Sequence, residues 1–368
     1  MSDADEVLAR CAQLAAISEE PGLLLRRYGT PAMREANALV AGWMEAAGLT
    51  THEDAVGNLI GTRGEGELML GSHLDTVRDA GRYDGPLGVI VAIAAAQRVP
   101  DAPLEIAGFA DEEGVRFGTA YLGSSAVAGR FDPDWQTLRD TDGIALADLL
   151  RGDPATAARH PRAYAEVHIE QGPVLERRNE PVGVVTAING QSHADVAFIG
   201  EAGHAGTVPH DTRHDALAAA AEWILAVEGI GTVGRIRVEP GGRNVIPGRA
   251  LTTLDVRHPD DGVRRASVQD LRRRAEDIAT RRGVQLDWTD GGDLPAVAMD
   301  ERLGARWGVA TSLPSGAGHD AAMMASVCPA TMLFVRCRGG ISHNPAESVE
   351  AADVAVAIDA LERFLRAV

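Results

Sequence analysis

Between His193 and Trp288 the apolar pattern alternates between the period of a strand and that of a helix. The order of that alternation restricts the fold more than any other feature of the chain. A strand is predicted over His193–Ile199, then a helix over Thr212–Val227, strands over Val233–Glu239 and Arg249–Arg257, a helix over Gly262–Arg282 and a strand over Val284–Trp288. The succession β-α-β-β-α-β is the split, ferredoxin-like motif. The flanks read differently. Leu68-Met69-Leu70, Leu104–Ala110, Ala163–Ile169 and Thr331–Val335 read as buried strands, and Leu87–Val99 and Val349–Val368 as helices. Leu39, Val40, Trp43, Met44 and Ala47 recur at helical spacing before a stop at Gly48. Strands alternating with helices predict a layered α/β domain. The 368 residues leave room for two domains. We therefore expect an α/β domain made of residues 1–185 and 293–368, interrupted by an inserted ferredoxin-like domain over residues 186–292.

Composition removes several function classes. All 35 basic residues are Arg. Without a Lys amine there is no Schiff base, no pyridoxal-phosphate chemistry and no P-loop. The net charge of −18 repels phosphate backbones, which argues against a nucleic-acid partner. Cys11, Cys328 and Cys337 are too few and too scattered for a disulfide framework. The start, MSDADEVLAR, is charged and has no apolar signal core. The longest apolar run, Leu87–Ala96, is about half a membrane span. The expectation is a cytoplasmic protein with no membrane partner.

The chemically useful side chains sit where strands end. His73 and Asp75 follow the first buried strand, and Asp84 precedes a helix. Asp111, Glu112 and Glu113 follow the strand ending at Ala110, His168 and Glu170 close another, and His343 lies in a late Gly-rich turn. Open α/β sheets build their sites at the carboxyl ends of strands. Three His and several carboxylates suit two borderline divalent cations, zinc foremost. Such a pair needs a bridging ligand, for which a carboxylate such as Asp84 is suited. Adjacent acids such as Glu112 and Glu113 can divide roles, one on metal and one on a proton. Asp75 could orient the His73 imidazole through its other nitrogen.

The motifs GSHLDTV, DGPLG, FADEEGVRFG, HIEQGP, GEAGHAGTVP, NVIPG, DVRHPD, SGAGHDA and GGISHNPAE, in this order, resemble the M20 metallo-hydrolases. They are most similar to the amidohydrolase branch, which holds N-carbamoyl-L-amino-acid hydrolases and allantoate amidohydrolases. The resemblance implies a dimetal α/β catalytic domain and an inserted lid that also dimerises. It implies that His73, Asp84, Glu113, His168 and His343 bind two divalent ions, with Asp84 bridging and Glu112 as general base. The ions are zinc, or else manganese, cobalt or nickel. In the peptidase branch an acid usually stands at the position of His168, so HIEQGP favours the amidohydrolases. From the lid, His204 is implied to stabilise an oxyanion across a homodimer. Asn244 and Arg257 are implied to hold a substrate carboxylate, with Gln191 lining the site.

Some of these residues have a second reading. Asp255 and Arg257 share one face of a strand and can simply pair. His319, in GAGHDA, either touches substrate or shapes the pocket rim. His52, His160, His214 and His258 match no motif role and read as surface residues. Two positions depart from the family pattern: Ser192-His193 stand where basic residues are common, and His210 where Met is common. The implied reaction is hydrolysis of an N-carbamoyl-L-amino acid to the amino acid, ammonia and carbon dioxide. The alternatives are allantoate hydrolysis, a peptidase, or a non-catalytic metal-binding dimer, and the last would be expected to have lost Glu112 or a ligand.

Overall fold

The computed structural model describes residues 2–368, and the chain divides into two compact units. One comprises the chain up to Thr186 together with Met299–Val368; the other is Ala187–Ala298. The second break falls after residue 298 rather than 292. Strand Gln285–Leu294 runs on through Gly291-Gly292, and the chain pairs once more at Val297–Ala298. A register shift between Asp290 and Asp293 absorbs the glycine pair as a bulge.

The larger sheet has nine strands. Its path runs Thr50–Glu53, Leu59–Arg63, Leu104–Phe109, Leu68–His73, Ala163–Ile169, Ala330–Val335, Val182–Ile188 and Val297–Ala298, with Ser312–Ser315 joined to Val182–Ile188 off that path. The four central strands, Leu104–Phe109 through Ala330–Val335, are mutually parallel and buried at every residue. Parallel strands covered on both faces read as nearly continuous apolar runs, which is why the sequence exposes them. Against that background His73, Glu166 and His168 are polar exceptions in fully buried strands. Their presence needs a chemical reason.

Strand order places the site. From Leu68–His73 the chain passes through helix Pro86–Arg98 to Leu104–Phe109 on one side, and later to Ala163–Ile169 on the other. The order reverses between Leu68–His73 and Ala163–Ile169, so the crevice beyond their carboxyl ends is a topological switch point. Helix Pro86–Arg98 is buried from Pro86 to Ala96 and packs against helices Asp3–Ala15 and Ala351–Ala367. A helix apolar on all sides is an interior helix, and its small residues allow that close packing.

The second unit holds a four-stranded antiparallel sheet in the order Gln285–Leu294, Gly190–Ile199, Arg249–His258, Ile236–Glu239. Numbered along the chain, this is 4-1-3-2. Helices Ala216–Val227 and Asp261–Arg282 complete the expected β-α-β-β-α-β succession. Ala194, Val196 and Phe198 alternate into a core with Trp223, Leu254, Leu271 and Ile278, leaving His193 and Asp195 outward. The first helix starts four residues later than the pattern predicts. Asp215 accepts the amides of Leu217 and Ala218 and so caps it there, after a short 3-10 turn over His210–Thr212. Among the described residues no helix is long and apolar enough to cross a membrane.

Candidate metal centre

His73 ends its strand and His168 lies one residue before the end of its neighbour, so both imidazoles reach the switch point. The rings stack with centroids 5.7 Å apart. Each is fixed through Nδ1, which lies 3.1 Å from the Asp75 main-chain oxygen in His73 and 3.0 Å from the Ile169 oxygen in His168. A carbonyl only accepts, so Nδ1 carries the proton and Nε2 of a neutral ring presents a lone pair. Both Nε2 atoms face Oδ1 of Asp84, at 3.8 Å from His73 and 3.2 Å from His168. His168 Nε2 is buried and has no hydrogen-bond partner despite that approach. Two lone pairs and a carboxylate oxygen converging in a buried space repel one another unless a proton or a metal cation stands among them. The donor set is one that zinc or a similar borderline divalent ion accepts.

The other oxygen of Asp84 faces a second set. Oδ2 is 3.1 Å from His343 Nε2, which is 3.4 Å from Glu113 Oε1. The ligating atoms of His73, Asp84 and His168, and those of Asp84, Glu113 and His343, form two clusters with Asp84 common to both. The close approach of Asp84 to His73 depends on Gly85, at φ +81°, where a Cβ would stand 2.5 Å from the imidazole.

The electrostatics centre on Asp84. Burial opposes its ionisation, but His168, His343 and His73 outweigh that and hold its carboxyl well below the usual value. For His168 burial again opposes the charged form. The Asp84 carboxylate reverses the sign, with help from Glu166, and raises the imidazolium to about 9. Hydrogen bonds to Asp84 and Glu113 raise His343 to about 10. Each shift reports a concentrated negative field that favours positive charge. Glu112 moves the other way. Burial, reinforced by the charges of Asp320, Glu113, Asp75 and Asp84, pushes its carboxyl well above the ordinary range, so it holds a proton more readily than a surface acid.

Asp75 does more than face His73. Its carboxylate is 3.7 Å from His73 Nδ1, farther than its own main-chain oxygen. Its two oxygens accept the amides of Glu112 at 3.1 Å and Glu113 at 3.2 Å. His343 of this cluster, and Asp111 and Gln171 close to its members in sequence, adopt positive φ near +55°. Strained conformations of this kind gather at functional sites. His319 is buried, with its ring 4.5 Å from that of His168 and its Nε2 2.9 Å from Ser315 Oγ. Burial and the neighbouring His168 push it well below its usual value, so it is a neutral ring.

Sequence reasoning missed Gln171, Ser342 and Glu347. Gln171 Nε2 donates to Asp84 Oδ2 at 3.0 Å, and Ser342 Oγ lies 3.1 Å from the same oxygen. All three stand inside the motifs HIEQGP and GGISHNPAE, so a signal was present, but nothing local tied it to Asp84. Asp320 and Glu166 are two more fully buried acids next to the cluster.

The remaining expected residues belong to the second unit. His204 pairs in register with Val245, next to Asn244, whose carbonyl accepts the Ala205 amide. Gln191 and Arg257 are direct cross-strand partners. Arg257 is held by Asp255, through Nε at 3.1 Å and Nη2 at 2.8 Å, and His193 Nε2 lies 3.7 Å from the same carboxylate.

A family model described as peptidase family M20/M25/M40 matches residues 69–367. The chain belongs to that family. Within it, the chain is 39% identical to an N-carbamoyl-L-amino acid amidohydrolase of Geobacillus stearothermophilus, over 98% of this chain and 97% of that one. It is 38% identical to an allantoate deiminase of Arabidopsis thaliana, over 98% of this chain and 82% of the other. Among solved structures it is similar to a hydantoinase/carbamoylase family amidase from Burkholderia ambifaria, with a TM-score of 0.91, 32% identity, and 99% and 97% of the two chains covered. M20 hydrolases are metal-dependent, and the two clusters around Asp84 are among four overlapping groups of possible metal donors in the described residues, the others being Glu166, His168 and His319, and His73, Glu112 and Glu113.

Proposed function

We propose that this M20 hydrolase cleaves the ureido C–N bond of an N-carbamoyl-L-amino acid, giving the amino acid, ammonia and carbon dioxide. One observation carries the reading. Asp84 divides its two oxygens between a His73–His168 pair and a Glu113–His343 pair, with Glu112 alongside. His73 and His168 would hold an inner divalent cation, Glu113 and His343 an outer one, and Asp84 both; zinc fits best, with manganese, cobalt and nickel as alternatives. Such a pair supplies Lewis acidity to the carbonyl and lowers the pKa of water toward ~7.

The chain's own residues do the rest. Glu112, made more basic by burial, accepts the proton of the attacking water and returns it to the leaving nitrogen. Asp75 fixes the main chain that carries Glu112 and Glu113. In this reading His204 donates to the developing oxyanion, a contact worth ~10²–10³ in rate. Arg257 and Asn244 bind the substrate carboxylate, with Gln191 and His319 lining its path; Asp255 holds the planar Arg257 guanidinium in one orientation. The second unit acts as the lid and joins two chains in a homodimer. A second substrate, allantoate, is favoured by the 38% identity to an allantoate deiminase, and it offers the same ureido group and a carboxylate. Ammonia release from a panel of N-carbamoyl-L-amino acids, allantoate and dipeptides tests the proposal. Turnover of dipeptides alone would overturn it.

A further inference from the structure

Glu347 is 4% exposed, and the reaction as proposed gives it no part. Its Oε1 accepts the main-chain amides of Tyr83 at 2.7 Å and Asp84 at 3.2 Å. Its Oε2 is 3.0 Å from Ser342 Oγ, which in turn lies 3.1 Å from Asp84 Oδ2. Its own amide donates to the Asn344 carbonyl and closes the turn that follows His343. Gly81 shows how tightly the first loop is drawn down: a Cβ there would stand 2.2 Å from the Glu347 carboxyl carbon. One side chain therefore ties together the 81–84 loop, Ser342 and the turn behind His343.

The two donor sets do not need this tie equally. His73 and His168 sit on buried central strands, each with Nδ1 anchored to a main-chain carbonyl. His343 comes from a loop, has a half-exposed side chain and adopts φ +53°. Resting on the dimetal reading above, we propose that Glu347 is a positioning residue for the outer cation. It holds Asp84 Oδ2 and His343 at a fixed separation, while the inner set stands without it.

The test is zinc release from the full-length zinc-loaded protein to a chromophoric chelator. Wild type should give up its zinc in a fast outer phase and a slow inner phase. Glu347→Ala should accelerate the fast phase by about 10–100-fold, the usual cost of losing a partner behind a ligand, and leave the slow phase unchanged. Glu347→Gln still accepts both amides through its carbonyl oxygen and should stay close to wild type. Ser342→Ala, which removes the hydroxyl between Glu347 and Asp84 together with its contact to Gln171 but leaves Glu347 on the Tyr83 and Asp84 amides, should shift the fast phase in the same direction by less. Equal acceleration of both phases would mean general loosening and would overturn the assignment, as would an unchanged fast phase in Glu347→Ala. If Glu347→Ala does not fold, Ser342→Ala decides, and an unchanged fast phase there refutes the proposal. Wild-type protein that releases only one zinc per chain would instead overturn the dimetal reading, and this assignment with it.

Discussion

Asp75 Oδ1 accepts the main-chain amide of Glu112 at 3.1 Å. This bond joins the loop after one central strand to the loop after its parallel neighbour, and the proposed base is carried on that joint. The pair Glu112-Glu113 is thus presented by a fixed main chain, and each acid can be removed separately.

Glu112→Gln should keep its metal and lose at least ~10² in kcat, since a positioned proton shuttle supplies ~10²–10⁴. Glu113→Gln should lose metal as well. Metal analysis beside steady-state kinetics separates the two. Near-normal turnover in Glu112→Gln would remove it from the role of base.

Asp84→Ala removes the carboxylate that gives one oxygen to each donor set, so it should empty both, whereas His343→Ala should retain the inner cation, about one equivalent per chain. Wild-type protein stripped by a chelator should lose activity and regain it with zinc, manganese, cobalt or nickel. Full turnover in a stripped, metal-free preparation would sink the metal-dependent reading.

Much of the cluster was legible because parallel strands deliver their carboxyl ends to one edge. Once Leu68–His73 and Ala163–Ile169 are read as neighbouring buried strands, His73 and His168 must meet. Contacts made across long stretches of chain were not legible. Glu347 reaches Tyr83 and Asp84 over more than 260 residues, and no local pattern encodes such a pairing. Asp75 shows a subtler limit. Its spacing from His73 suggested an imidazole partner, but the main-chain oxygen lies closer and the carboxylate turns to the 112–113 amides. Element ends were set by single side chains, such as Asp215 capping its helix and the Asp290–Asp293 bulge lengthening its strand.

The three cysteines should be silent in the native protein. Burial pushes Cys11 up to about 12, Cys328 to about 11 and Cys337 to about 12. The thiolate is the reactive form, and an unfolded thiol titrates near ~8.5. A disulfide reagent at pH 8 should therefore find no thiol before denaturation and all three after it. The sign for stability follows from the same shift. The unfolded chain loses its thiol protons first, so this contribution is complete below that pH and declines as pH rises above it. Rapid labelling of any one cysteine in the folded protein would show its surroundings to be open.

The proposed homodimer can be tested by complementation. His204, Asn244 and Arg257 all lie in the unit Ala187–Ala298, remote in sequence from the donors around Asp84. In the proposed reaction they would act on a substrate held there, either from their own chain or from a partner's. Subunits carrying Glu112→Gln are mixed with subunits carrying His204→Ala, each nearly inactive alone. If His204 acts across the dimer, every heterodimer has one pocket with both defects and one with neither. Random exchange of subunits then restores about a quarter of wild-type activity, because half of the dimers are mixed and each has one good pocket of two. If His204 acts within its own chain, every pocket keeps one defect and the mixture stays inactive. The expected outcome is recovery. No recovery, with subunit exchange verified by differently tagged chains, would place His204 in its own chain's pocket and leave the metal chemistry untouched.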